Sequence, residues 1–163
     1  MPLFDVHADA LTRGRADLPE GTRLVGVAPP GASGVRGVVD ERRPALAPPA
    51  ELLADHADAA ESFRIDGLCA AGAHNAAWDR VGVDDRYRAY LAGDADARAA
   101  VADLRSALAD GDDVALVCVE NTDKRRCHRT VLREVVAGDG AVDDAADALD
   151  SPGTAERDDA RCD

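Results

Sequence analysis

The sequence predicts an α/β domain, a three-layer sandwich around a mainly parallel sheet, over residues 1–138. Two observations carry this. Short apolar runs alternate with segments of helical periodicity, the pattern of a sheet covered by helices. The run at 113–120, Asp-Val-Ala-Leu-Val-Cys-Val-Glu, is apolar almost without interruption, as a strand covered on both faces must be. At 163 residues the chain is long enough to bury one core.

The elements follow in order. Residues 1–22 read as a polar lead-in in which Phe4 and Val6 allow one short strand. Residues 23–28 form a strand that runs into the turn Pro29-Pro30-Gly31. A second short strand is expected at 37–41, before Arg42-Arg43-Pro44. Pro48-Pro49 opens a helix to about residue 62, because proline suits a first turn whose N–H groups are unpaired in any case. Its apolar face is Leu52, Leu53, Ala57 and Ala60. Residues 63–69 read as a strand, 73–80 as a short helix carrying Trp78, and 84–93 as a helix with Tyr87, Tyr90 and Leu91. The helix at 94–110 carries the stripe Ala97, Val101, Leu104 and Leu108, and Gly111 supplies its stop. After the strand at 113–120 and a polar loop, a helix at 127–137 buries Val131, Leu132, Val135 and Val136. Residues 139–163 turn to Asp, Ala, Gly and Pro without apolar periodicity, and a disordered acidic tail is expected there.

Charge describes the solvent before it describes a partner. Acidic residues number 32 against 19 basic, a net charge of −13. Within those totals stand 25 Asp to 7 Glu, and 18 Arg to the single Lys124. GC-rich coding accounts for arginine over lysine, but not for Asp over Glu, since both have GC-ending codons. Short carboxylates at this density repel one another in dilute buffer, and molar salt screens that repulsion within about 3 Å. The chain is therefore read as halophilic, and its acidity says nothing of a basic partner. No apolar run approaches the roughly 20 residues that span a membrane. The opening residues lack the basic start and apolar stretch of a secretory signal. The four cysteines (Cys69, Cys118, Cys127, Cys162) are too few and scattered for a disulfide framework. A cytoplasmic protein with no membrane partner is the expectation.

Chemistry is expected within 113–136, where strand, polar loop and helix succeed one another. In open α/β sheets ligands bind beyond the carboxyl ends of the strands, and a helix start offers free N–H groups and partial positive charge. Residues 123–133 hold five basic side chains (Lys124, Arg125, Arg126, Arg129, Arg133) and one acidic. In a chain of −13 this is a local reversal of sign. Cys127-His128-Arg129 stand at the helix start, where a thiol beside Arg or His has its pKa lowered and becomes a better nucleophile or metal ligand. The alternative for these three is a buried thiol, a capping imidazole and an ion-paired arginine. Cys118, ending the strand, reads as a small core residue or as a ligand.

The pattern Cys118-Val119-Glu120, a short polar loop, then Cys127-His128-Arg129 resembles a signature of the uncharacterised family known as domain of unknown function 488. Val38-Val39-Asp40-Glu41-Arg42-Arg43-Pro44 is similar to that family's other hallmark. The resemblance covers residues 23–137 and implies an α/β fold with a parallel sheet, with no settled activity. Many members open with a strand ending Thr-Ile-Gly-His-Ser, which the nearest strand here, Leu24-Val25-Gly26-Val27-Ala28, does not match.

If both motifs end strands on one sheet edge, Asp40, Arg42, Arg43, Glu120, Cys127, His128 and Arg129 converge. Guanidinium forks match phosphate geometry, so the leading expectation is a site for a phosphate-bearing small molecule, a nucleotide or a nucleic-acid end. Cys127 or His128 would then serve as nucleophile or general acid/base in any turnover. Asp40 and Glu120 would touch the ligand or merely orient the arginines. The alternative is a metal or thiol-redox site on Cys118, Cys127 and His128, with Cys69 as a further donor. A third reading is a basic loop that docks an acidic protein, a contact molar salt would weaken. Cys69 with His74 is a weak metal pair by itself, His7 and His56 have no evident partner, and Trp78, Tyr87 and Tyr90 suit core or pocket wall. No Walker loop, dinucleotide glycine pattern, zinc-finger spacing or Gly-x-Ser-x-Gly elbow is present. No cofactor is assigned, and enzymatic turnover and oligomeric state stay open.

Overall fold

The computed structural model describes residues 2–120, 122 and 124–138; the expected acidic tail at 139–163, with Cys162, lies outside the described residues. Four strands, β1 (Leu3–His7), β2 (Arg23–Gly26), β3 (Glu41–Arg42) and β4 (Val114–Cys118), form one sheet in the order β1-β4-β2-β3. Every pairing among them is parallel, so all four strands end on the same edge. β4 is central and buried at each of its five residues, which is why its sequence is apolar without alternation.

The helices are α1 (Ala8–Thr12), α2 (Ala50–Ile65), α3 (Ala70–Val81), α4 (Val83–Gly93), α5 (Ala95–Ala109) and α6 (His128–Ala137). The α/β class and the parallel sheet are as the sequence predicts. Helices α4, α5 and α6 pack on one another, and α5 and α6 also pack on β4. Val25, Leu104, Leu116 and Leu132 are fully buried at that junction. Asp94 caps α5 by accepting a 2.9 Å bond from the Ala97 N–H, satisfying one of the donors that a helix start leaves open. Gly82 joins α3 to α4 at φ 69°, a left-handed conformation that glycine adopts without penalty. No helix among the described residues is long and apolar enough to cross a membrane.

Three stretches differ from expectation. The lead-in is structured: β1 lies in register with β4 from Leu3 opposite Val114 to His7 opposite Cys118. The strand expected at 37–41 is mostly turn, and β3 keeps only Glu41 and Arg42. Gly26 is the cause. A Cβ there would stand 2.9 Å from Val35 and 3.3 Å from Val39, so both valines fold down onto β2. The Asp40 carboxylate then accepts from the Leu24 N–H at 2.8 Å, taking a donor that a longer strand would pair. Residues 63–69 do not form a strand, because α2 continues to Ile65 and stops where Gly67 turns at φ 102°.

Tyr87 and Tyr90 pin the 3-10 turn Pro44–Leu46 that follows β3. Their hydroxyls donate to the carbonyls of Leu46 at 2.5 Å and Ala45 at 2.8 Å. Tyr87 is fully buried, and a buried acceptor that loses its donor costs about 1–3 kcal/mol. Tyr87→Phe is therefore expected to lower the stability to urea by about that amount. An unchanged midpoint at equal slope would contradict the assignment.

Candidate functional site

Where β4 ends and α6 begins, three chemically active side chains meet. Cys118 is the last residue of β4, Cys127 is the N-cap of α6 in extended conformation, and His128 is its first residue. Their donor atoms all lie within 4.8 Å of one another, and their exposures of 1%, 2% and 5% place all three in the interior.

The tautomer of His128 follows from one contact. Its Nε2 lies 2.8 Å from the Val27 carbonyl oxygen, and a carbonyl only accepts, so Nε2 carries the proton and donates it. The other nitrogen, Nδ1, is 3.7 Å from the Cys127 sulfur. Burial, aided by the charge of Arg129 and opposed by the Val27 bond, lowers the His128 pKa to about 4. The ring is neutral at pH 7, and Nδ1 offers a lone pair toward the thiols.

The two sulfurs share a proton. Cys127 donates to Cys118, which lowers the Cys118 pKa to about 7 against the opposing effect of burial. Cys127 is pushed up by that same hydrogen bond and by its own burial. The sequence places a lowered pKa at Cys127; in the fold the two thiols act as a pair, because their direct contact favours a single negative charge between them.

Arg129 points away from this group. Its guanidinium is 1% exposed and bonds Asp5 at 3.3 Å, the Glu120 carbonyl at 3.4 Å and the Thr122 hydroxyl at 3.3 Å. Asp5 also accepts from Arg133 at 2.9 Å. Two more arginines of the basic run are paired: Arg125 faces Glu120 at 3.8 Å, and Arg126 bonds Asp79. The reversal of sign is thus largely offset by carboxylates of the fold.

Two residues of the Asp-x-Arg-Arg motif are held by bonds within the fold. Asp40 holds the Leu24 N–H. Arg43 bonds Glu41 at 3.3 Å and Asp103 of α5 at 3.1 Å. Burial tends to raise the Glu41 pKa, but bonds from Arg23 and Arg43 outweigh it and the net shift is downward. Arg42 sits in register with Gly26.

A cavity of about 240 Å³ opens over the thiol and imidazole group. Cys118, Glu120, Cys127 and His128 line it, whereas Asp40, Arg42, Arg43 and Arg129 are not among its lining residues. The expected convergence of arginines is therefore not found. The lining also includes Trp78 of α3, which the sequence offered as core or pocket wall, and two histidines to which it gave no such role, His56 from α2 and His74 from α3. Their signal is the i, i+4 spacing of His74 and Trp78, which puts both on one helix face. His74 Nε2 donates to the Arg126 carbonyl at 2.7 Å. Asn75 bonds the Lys124 carbonyl and the Arg126 N–H, each at 3.0 Å. α3 thereby holds the loop that delivers Cys127.

This arrangement defines a parallel-sheet α/β domain with a buried thiol and imidazole pocket at the carboxyl ends of its strands. The chain belongs to the DUF488 family: residues 10–140 match the family model described as "Active DUF488-N3 subclade". No curated protein and no solved structure matches it. Among the described residues the first strand is β1, ending in His7, and residues 24–26 lie on the second.

Removing one partner of a buried ion pair costs about 3–5 kcal/mol, whereas an exposed pair is worth about 0–1 kcal/mol. Asp5→Ala, which strands the Arg129 charge, is thus expected to cost several times as much as Arg133→Ala in denaturant unfolding. Equal losses would show that Asp5 does not neutralise the buried guanidinium.

Proposed function

We propose that Cys118, Cys127 and His128 hold one divalent transition-metal ion of the zinc class, with a fourth position open to the cavity. The observation that carries this reading is the meeting of three buried donor atoms within 4.8 Å of one another. Two sulfurs and an imidazole are a donor set that suits zinc. The Val27 carbonyl supports it further, since histidines that bind metal commonly donate their other N–H to such an acceptor, which fixes ring and tautomer. Three protein ligands beneath a cavity match sites that keep a position for water or substrate, not the closed four-ligand structural type. A bound ion would also draw the shared proton off Cys127.

The phosphate reading ranks second. Arg126 at the cavity wall favours it, but the other arginines bond carboxylates elsewhere. Assays belong in molar KCl, which the carboxylate-rich surface calls for.

The test is titration of reduced, chelator-treated protein with Co²⁺. Expected are one ion per chain, thiolate-to-metal charge-transfer absorption, and loss of both in Cys118→Ser and Cys127→Ser. Metal at a hundredfold excess over Kd is expected to stabilise the fold by about 2.7 kcal/mol. Undiminished uptake by Cys127→Ser, or no uptake by the parent chain, would remove the proposal.

A further inference from the structure

The walls of the same cavity carry information that its floor does not. His56 Nε2 lies 3.0 Å from the His74 carbonyl oxygen, and His74 Nε2 lies 2.7 Å from that of Arg126. Each contact requires an N–H on Nε2, which leaves Nδ1 as the ring position able to accept. Glu120 adds a carboxylate whose ion pair with Arg125, at 3.8 Å, is longer than a hydrogen bond. The polar lining therefore offers acceptors at Glu120 and the imidazoles, while its one guanidinium, that of Arg126, is paired with Asp79. The apolar lining is flat: the rings of His74 and Trp78 stack 29° from parallel with centroids 5.8 Å apart, and Leu52 lies in the same wall. At about 240 Å³ the cavity falls below the roughly 300–1,000 Å³ typical of drug-sized ligands. It has room for one or two fused rings.

We infer that this cavity binds a planar, amino-substituted nitrogen heterocycle of nucleobase size, its face toward the Trp78 wall and its N–H donors toward Glu120 and the imidazoles. A flat ring matches the aromatic surface. A donor edge matches the acceptors, which a ring without donors would leave buried and unpaired. The inference deepens the metal reading by naming what lies over the ion, but it stands on the walls and not on the three donors of the floor.

Trp78 is the only tryptophan of the chain, so intrinsic emission, corrected for inner-filter absorption, reports on this wall. The full chain is titrated with adenine, cytosine, adenosine monophosphate and 6-dimethylaminopurine, with and without Co²⁺. A saturable change with adenine or cytosine is expected. Binding is expected to be at least tenfold weaker for 6-dimethylaminopurine, which lacks the amino donors, and for Glu120→Gln. Ala32→Phe, which puts a large side chain on the cavity lining, is expected to abolish the change while circular dichroism and the cobalt spectrum stay as in the parent. Adenosine monophosphate binding as well as adenine, or better, supports the ring as the recognised part. Adenosine monophosphate binding where neither free base binds overturns the inference in favour of phosphate. Absence of any saturable response to the amino rings overturns it too, even where cobalt absorption proves the metal. A response in a protein that takes up no cobalt upholds it and removes only the metal reading. Unaltered affinity in Ala32→Phe would place the ring elsewhere and sink it.

Discussion

A guanidinium that is 1% exposed cannot stay charged in a protein interior unless a carboxylate and further acceptors surround it. Arg129 meets that demand with Asp5 from the edge strand, the Glu120 carbonyl from the end of the central strand, and the Thr122 hydroxyl from the loop. One side chain thus ties together three pieces of chain, two of them 124 residues apart. The consequence reaches the thiols. Cys118 and Cys127 are separated by the loop that Arg129 draws in, and only with the loop so held do the end of β4 and the start of α6 bring their sulfurs together. The arginine of the Cys-His-Arg motif serves the site by positioning it.

Charge in this fold is used twice, in opposite ways. At the surface, excess carboxylate faces solvent. Around the loop before α6, carboxylates at Asp5, Asp79 and Glu120 cancel a local excess of arginine. What faces the cavity is imidazole, the thiol pair, one weakly paired carboxylate, and Arg126, whose guanidinium is already held by Asp79. Such a lining offers more to a hydrogen-bond donor or a soft cation than to a free phosphate. The functional reading therefore moves from anion binding to thiol and imidazole chemistry, keeping Glu120, Cys127 and His128 of the residues first named.

The legible parts of the structure are those whose cause is local. β4, α5 and α6 are set by apolar pattern, an Asp cap and a glycine stop, all within a few residues. The pairing of Cys127 and His128 with a polar site was visible because motif and helix start coincide. The fate of the arginines was not. Arg43 finds Asp103 at a separation of 60 residues, and with 25 aspartates in the chain no sequence pattern says which one is reached. β1 was half-seen for a related reason: Asp5 and His7 make it look polar, yet Asp5 is there to meet a buried cation. The pairing of the two cysteines was beyond reach, because their sulfur contact exists only once β4 and α6 are docked. At Gly26 the sequence signal misled, since a missing Cβ let Val35 and Val39 fold over β2 and shortened the strand expected at 37–41.

The imidazole is fixed as firmly as the thiols, and by the sheet itself. The Val27 N–H donates to the Val117 carbonyl at 2.9 Å, continuing the ladder between β2 and β4, while the next carbonyl, that of Val27, receives His128 Nε2 at 2.8 Å. One residue thus belongs to both sheet and site. Rotating the imidazole to expose Nε2 would break a buried hydrogen bond, and moving Val27 to follow it would break the ladder. Tyr87, packed edge-on to His128 with centroids 5.5 Å apart, closes the remaining direction of movement. Its hydroxyl is anchored in turn on the segment after β3. The orientation of Nδ1 toward the two sulfurs is accordingly a property of strand register and core packing, established before any ligand arrives. A site preorganised in this way loses little freedom on binding, which is what three donors from two adjoining elements need if they are to hold one ion and leave its outer face to the cavity.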